Sequence, residues 1–285
     1  MIKYGVPGNY IDITLQVAKL CLRINGFSYI PETDKERSHL FGDPIYGTLK
    51  HIVINDEIIP SGSYMIQMPD VDFIGDPHIK LKEIHSKLNF QGNLKDEYPE
   101  QIMSVIFINP TDKVLEIGSN IGRNTCVIAS ILNDSKNLTT LESDNIDMLT
   151  RNKNINNFNF RIINAALSKR QLWQRWWVTT PSDKTPGHDW HQVVTIDYNQ
   201  IKDDYNVLVA DCEGALYYIL QDFPELLDRI KTIIVENDYR DLAEYQHVVN
   251  IFKDKNFTCR YSTFSDEAVV YNLPCHRFFF QVWQR

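Results

Sequence analysis

The rhythm of apolar and polar positions changes near residue 96. Before it, apolar stretches are short and cut by breakers: Pro31, Gly42-Asp43-Pro44, Gly47, Pro60-Ser61-Gly62, Pro69 and Asp76-Pro77. Pieces such as 50–54 and 63–68 suit strands joined by turns better than helices. A helical periodicity runs over 11–24, with Asp12 or Thr14 near its start. Residues 1–95 are therefore expected to form a small accessory domain, β-rich or α+β.

From residue 96 the grammar alternates. Helices are predicted over 98–108, 122–132, 145–156 and 241–253, with one or two more between 214 and 229. Short apolar runs at 113–117, 138–141, 161–164, 207–210 and 232–236 read as strands buried on both faces. Two β-rich runs, 257–264 and 277–283, close the chain without a helix-length insert between them, so they are expected to pair antiparallel at a sheet edge. The fold class that follows is α/β, with a Rossmann-like, doubly wound sheet over 96–285.

Composition narrows the function classes. Hydrophobic residues make up 43% and charged residues 23%, an ordinary globular balance. No apolar run reaches the roughly 18 residues that a membrane-spanning helix needs. Gly5, Pro7 and Gly8 interrupt a start that lacks an apolar signal core, so a cytoplasmic protein is expected. The formal net charge is −8, and Lys169, Arg170 and Arg175 are the nearest approach to a basic cluster. That weighs against a nucleic-acid partner, whose phosphates need neutralising. Five widely spaced cysteines without a CxxC pair argue against a zinc cluster or a disulfide framework.

Four strand ends carry the candidate chemistry. The first reads Val114-Leu115-Glu116-Ile117-Gly118-Ser119-Asn120-Ile121-Gly122. It is a buried strand, a glycine turn and a helix start, with one glycine fewer than the dinucleotide fingerprint. Gly118 permits close backbone approach to a ligand, and free N–H groups at the helix start face it. Glu116 would repel a pyrophosphate but attract the ammonium of a methionine-type tail. The second is Thr139-Thr140-Leu141-Glu142, where an acid at the strand end can accept both hydroxyls of a ribose. The third, Val207 through Ala215, places Asp211 and Glu213 at an edge where open α/β sheets bind ligands, although Asp211 could simply cap the helix that opens at Gly214. The fourth, Ile233-Ile234-Val235-Glu236-Asn237-Asp238, turns Glu236 toward the same cleft or toward solvent.

Taken in order, "LEIGSNIG", "TLESD", "NAALS", "VTIDY", "VADCEGAL" and "IIVEND" resemble the FkbM family of S-adenosylmethionine-dependent O-methyltransferases over about residues 96–285. Leu216 departs from the pattern, standing where that family often carries a further acid. The resemblance implies a seven-stranded methyltransferase sheet, S-adenosyl-L-methionine as cofactor and S-adenosyl-L-homocysteine as product. It implies that Glu116, Gly118, Ser119, Asn120 and Gly122 line the methionine side, and that Glu142 and Ser143 hold the ribose. Asn164 and Ala165, with Ala166, would lie beside the adenine, and Asp211 and Glu213 close to the methyl group or the acceptor. The acceptor it implies is a hydroxyl of a sugar, in a glycan or nucleotide-sugar, so the partner is a carbohydrate or small molecule.

A hydroxyl is a poor nucleophile at neutral pH, so a general base is expected: Glu213 or Asp211 first, then Glu236. A carboxylate pair could instead hold a divalent cation, the less favoured option, and no metal ligand is assigned. A homodimer is compatible with the chain. The polar, Trp-rich stretch 171–192 could be a lid over a glycan or a hairpin whose Trp residues cover the domain's own core. RNA or protein methylation, or a binding module on an inactive methyltransferase-like fold, are the competing readings.

Overall fold

The computed structural model describes residues 2–24, 27–54, 56–59, 64–67, 77–175, 178–239, 241–263, 265, 275 and 278–285. At its centre is a seven-stranded sheet. Its strands are β1 (Val114–Ile117), β2 (Leu138–Glu142), β3 (Arg161–Asn164), β4 (Val207–Ala210), β5 (Thr232–Glu236), β6 (Thr258–Thr263) and β7 (Phe280–Gln284). Their order is β3-β2-β1-β4-β5-β7-β6. The first five run parallel, and β7 enters antiparallel between β5 and β6. The antiparallel edge pair anticipated from the last two apolar runs is present, and the fold is Rossmann-like α/β.

Helices cover both faces. They are α1 (Pro77–Lys87), α2 (Tyr98–Phe107), α3 (Arg123–Ile131), α4 (Ile146–Ile155), α5 (Leu216–Asp222) and α6 (Leu242–Asp254). Side chains alternate across each strand, so each face has its own core. Leu115, Ile117, Leu208, Ala210 and Val235 pack with Ile219, Leu220, Val248 and Phe252 of α5 and α6. Val114, Val207, Val209 and Ile234 face the other way, toward Met103, Phe107, Val127, Ile128 and Leu149 of α2, α3 and α4. Leu81 of α1, which has no accessible surface, joins this second cluster. Every residue of β1 and β4 is buried, which explains why they read as unbroken apolar runs.

The N-terminal residues build two small antiparallel sheets. One is ordered Asn9–Asp12, Ile2–Val6, His51–Ile54, Glu57–Ile58, and the other Leu22–Ile24, Phe27–Ile30, Tyr64–Gln67. Ile2, Tyr4, Ile13, Val17, Ile30, Phe41 and Ile52 form their own core. The helix expected over 11–24 is shorter, Thr14–Leu20: Cys21 turns extended, and the next three residues pair with Phe27–Ile30. A second helix, Asp34–Phe41, was not expected, although its capping box was legible: Thr33 and Glu36 exchange side-chain and backbone hydrogen bonds. Lys50, 3% exposed, is bridged to Asp34 at 3.1 Å and Asp43 at 3.0 Å. Among the described residues no helix is long and apolar enough to cross a membrane.

The crossover from β3 to β4 departs from the strand–helix alternation. Ala166–Leu167 pairs in parallel with Thr195–Ile196. Between them lies a three-stranded antiparallel sheet, with Leu172–Arg175 in the middle flanked by Val178–Pro181 and His191–Val193. The Trp-rich stretch is therefore a three-stranded sheet rather than a simple hairpin, and its Leu172, Gln174 and Thr179 line the cavity described below.

Candidate active site

The strand order reverses between β1 and β4, and ligands of open α/β sheets bind outside the carboxyl ends at such a point. A cavity of about 520 Å³ opens there. Its floor is made by two turns in contact. Gly118 has φ +83°, and a Cβ there would stand 1.6 Å from the carbonyl oxygen of Asp211. The turn is tied to both neighbouring strands: Gly118 N–H donates to Leu141 O at 3.0 Å, and Asp211 N–H to Ile117 O at 3.0 Å. Only glycine accommodates both the backbone angle and the close approach.

The β1 turn is also tied to the β2 turn. Glu142 Oε2 accepts the N–H of Asn120 at 2.6 Å. Its Oε1 accepts from Ser143 at 2.9 Å, Asp144 at 2.8 Å and Asn145 at 3.3 Å. Asn120, itself at φ 48°, accepts from Asn145 Nδ2 at 3.1 Å. A carboxylate offers about four acceptor positions, so Glu142 is both a wall of the cavity and the clamp between two ligand-facing loops.

Glu116 sits underneath. It is 1% exposed, opposite Thr140 of β2 and Val209 of β4. Burial pushes its carboxyl up to about 8; nearby Thr125 and Thr140 offset this in part, while Glu97 and Glu142 add to it. Glu116 Oε2, Thr125 Oγ1 and Thr140 Oγ1 all lack a partner in hydrogen-bonding geometry. Glu97 reaches the same turn from in front of α2. It accepts from Arg123 Nη1 at 2.9 Å and from the Asn124 N–H at 3.2 Å, fixing the start of α3. Burial, then Glu100, raises its carboxyl to about 7 against the pull of Arg123.

At the ends of β4 and β5 the acids converge. Carboxylate oxygens of Glu100, Asp211 and Glu236 lie within 4.8 Å of one another, as do those of Asp211, Glu213 and Asp238. Burial drives Asp211 well above the usual carboxylate range, and Glu97, Glu100, Asp238 and Glu213 push it further. Glu236 is raised too, by burial, then by Asp211 and a hydrogen bond with Glu100. Such a cluster can store a proton, attract a cationic ligand or hold a divalent cation. Asp211 does not cap the next helix: the N–H of Gly214 donates to Asp238 Oδ1 at 2.6 Å. Glu213 and Gly214 both take left-handed backbone, φ 54° and 78°, a strained turn of the kind that collects at functional sites.

Of the residues singled out in the sequence, Gly118, Asn120, Glu142, Ser143, Ala165, Asp211 and Glu213 line the cavity. Glu116 and Ser119 are buried beside it, 1% and 3% exposed. Gly122, at φ +90°, serves packing: a Cβ there would meet Leu149 Cδ1 at 2.7 Å. Asn164 is exposed and faces a separate shallow hollow with Asp147 and Arg151. Glu236 stands behind Asp211 in the acid cluster. Sequence reasoning missed Glu97, Glu100, Gln174 and Thr179. The last two lie on separate strands and meet only across the ladder, where both line the cavity. Trp176 and Trp177 lie outside the described residues.

No protein-family model matches the chain. No curated protein matches it either. Solved structures similar to it include methyltransferase FkbM from Methylobacillus flagellatus, at 11% identity and a TM-score of 0.43, covering 73% of this chain and 58% of that one. Another is ribosomal protein L11 methylase from Lactobacillus delbrueckii, at 10% identity and a TM-score of 0.42, covering 68% and 80%. A third is Aeropyrum pernix fibrillarin with natively bound S-adenosyl-L-methionine, at 10% identity and a TM-score of 0.40, covering 68% and 76%.

Proposed function

We propose that the protein is an S-adenosylmethionine-dependent O-methyltransferase of the FkbM type, acting on a hydroxyl of a sugar. The observation that carries the cofactor reading is a backbone-lined turn set among acids. Gly118 lines the cavity with its backbone packed on the Asp211 carbonyl, Asp211 and Glu213 line the same cavity, and Glu116 is buried beside it. A ligand with positive charge at one end and a nucleoside at the other suits that donor set better than a dinucleotide, whose phosphates these acids would repel. Glu142 keeps the two loops together, and ribose hydroxyls would take over acceptor positions that backbone N–H groups now fill. The sugar acceptor is carried by the family resemblance, and residues 1–95 are assigned to an accessory domain.

Bound there, S-adenosylmethionine supplies an electrophilic methyl group. The chain's part is alignment, which can be worth roughly 7–11 kcal/mol of barrier, and removal of the acceptor's proton. Asp211 lines the cavity, where its carboxylate form can take up the acceptor's proton. Glu213 is its neighbour on the same wall, and Glu236, hydrogen-bonded to Glu100 behind them, can share the proton that Asp211 takes up.

Calorimetry with S-adenosylhomocysteine tests the cofactor, and labelled-methyl transfer to monosaccharides, glycans and RNA tests the acceptor. Tight binding by the natural chain, weakened roughly tenfold or more by Glu142→Ala, is expected. No binding by the natural chain removes the reading, and transfer to RNA alone replaces the sugar.

A further inference from the structure

The segment 88–97 joins α1 to α2 and stays out of the cavity lining, yet it is bonded to the elements that carry the glycine turn. Arg123, the first residue of α3, donates from Nε to Asn93 O at 2.8 Å and pairs with Glu97 at 2.9 Å. The other ties run through α4. Asn152 Oδ1 accepts the N–H of Gln91 at 2.8 Å, and its Nδ2 donates to Gln91 O at 3.2 Å. About one helical turn on, Asn156 treats Asn89 in the same way, accepting its N–H at 2.9 Å and donating to its carbonyl at 2.7 Å. Each pairing copies the double exchange of a hydrogen-bonded residue pair in an antiparallel ladder, with a side-chain amide in place of the second strand. Each amide meets one N–H and one C=O of the same residue, which settles which end is oxygen and which nitrogen.

Asn152 makes one bond more. Its Nδ2 also donates to Ile121 O at 2.8 Å. Ile121 belongs to the glycine turn, where Gly118, Asn120 and Gly122 all take positive φ, at 83°, 48° and 90°. Such a conformation persists only where its surroundings over-determine it. Glu142 holds the turn from the cavity wall through the Asn120 N–H. Asn152, with no accessible surface, holds it from α4 at Ile121. Leu149, three residues earlier on the same face of α4, fills the space beside Gly122.

We infer that Asn152 is a positioning residue for the cofactor: through Ile121 it keeps the glycine turn in its ligand-binding shape, and through Gln91 it makes that shape depend on the docked 88–97 segment. The inference rests on the S-adenosylmethionine reading and adds to it a group that touches neither cofactor nor acceptor. Asn156 holds the segment and has no bond to the turn.

The test is calorimetry with S-adenosylhomocysteine on the full chain, at a temperature where every variant is folded. Asn152→Ala and Asn156→Ala each remove one pairing with the segment, and both should lower the melting temperature. Only Asn152→Ala should also weaken S-adenosylhomocysteine binding, by about tenfold, with Asn156→Ala staying within about twofold of the natural chain. A folded Asn152→Ala that binds as the natural chain does, or equal losses of affinity in the two variants, overturns the proposal and leaves the cofactor reading intact. If Asn152→Ala does not fold, hydrogen exchange of the natural chain decides the matter. S-adenosylhomocysteine should then slow exchange of the Gln91 N–H more than that of the Asn89 N–H, and equal slowing, or none, overturns the proposal. A natural chain that binds no S-adenosylhomocysteine removes the cofactor reading itself, and the inference with it.

Discussion

The two ends of the cavity are built on opposite principles. At the β1, β4 and β5 end, the walls are strand-end turns whose acids raise one another's proton affinity, with Glu97, Glu100 and Glu116 packed behind Asp211 and Glu236. At the β3 end, the wall is Ala165, Ala166 and Leu167, and the roof is a neutral pair on an inserted sheet. The first end gathers carboxyls that burial and one another hold above their ordinary range, and the second gathers small apolar side chains beside an amide and a hydroxyl.

If that division is right, variants at the acid end should change chemistry more than binding of an uncharged ligand end. Asp211→Asn keeps the shape and removes the base. It should lower turnover by about 10²–10⁴-fold while S-adenosylhomocysteine, which has no sulfonium charge, binds within a few-fold of the natural chain. Equal losses in both measurements would erase the distinction between the two ends. Gly118→Ala attacks the floor they share. With φ +83° and the Asp211 carbonyl in the way, it should weaken S-adenosylhomocysteine binding by about 10²-fold and lower the melting temperature by about 5 °C or more. Normal binding by this variant would show that the turn is not ligand-facing.

The smallest expected effect is on pH dependence. Glu97 is raised to about 7 and Glu116 to about 8, both above the value of 4.5 they have unfolded. Between those limits the folded chain holds protons that the unfolded chain has released, so stability is fully present at low pH and is lost as pH rises toward 8. The melting temperature of the ligand-free protein should therefore fall between pH 5.5 and 8.5. Glu116→Gln should flatten that fall and raise the value at pH 8.5. A profile that climbs over this range would mean the acids are not held in their protonated form.

Much of the central sheet is legible in the sequence because both faces of β1 and β4 are covered, leaving short apolar runs that end at glycine or acid. The strand-end residues are legible for the same reason, since the end of such a run is where polar groups become affordable. What the sequence hides is non-local. Glu97 and Glu100 stand some twenty residues before the glycine turn and read as the ordinary acidic start of a helix, until α2 folds against the strand ends. The inserted sheet is hidden too, because Trp173 pairs with Gln192 across nineteen positions and no local periodicity encodes that partnership. Residues 22–24 carry helical spacing, but their hairpin with Phe27–Ile30 wins.

The contact between residue 118 and the Asp211 carbonyl also limits how such a protein can diversify. Where backbone meets backbone, no substitution can widen, narrow or recolour the surface without parting β1 from β4. The roof is made of side chains on a strand pair that the central sheet does not need for its own pairing. A lineage or an engineer seeking a differently shaped cavity would find the floor closed to variation and the inserted sheet open to it.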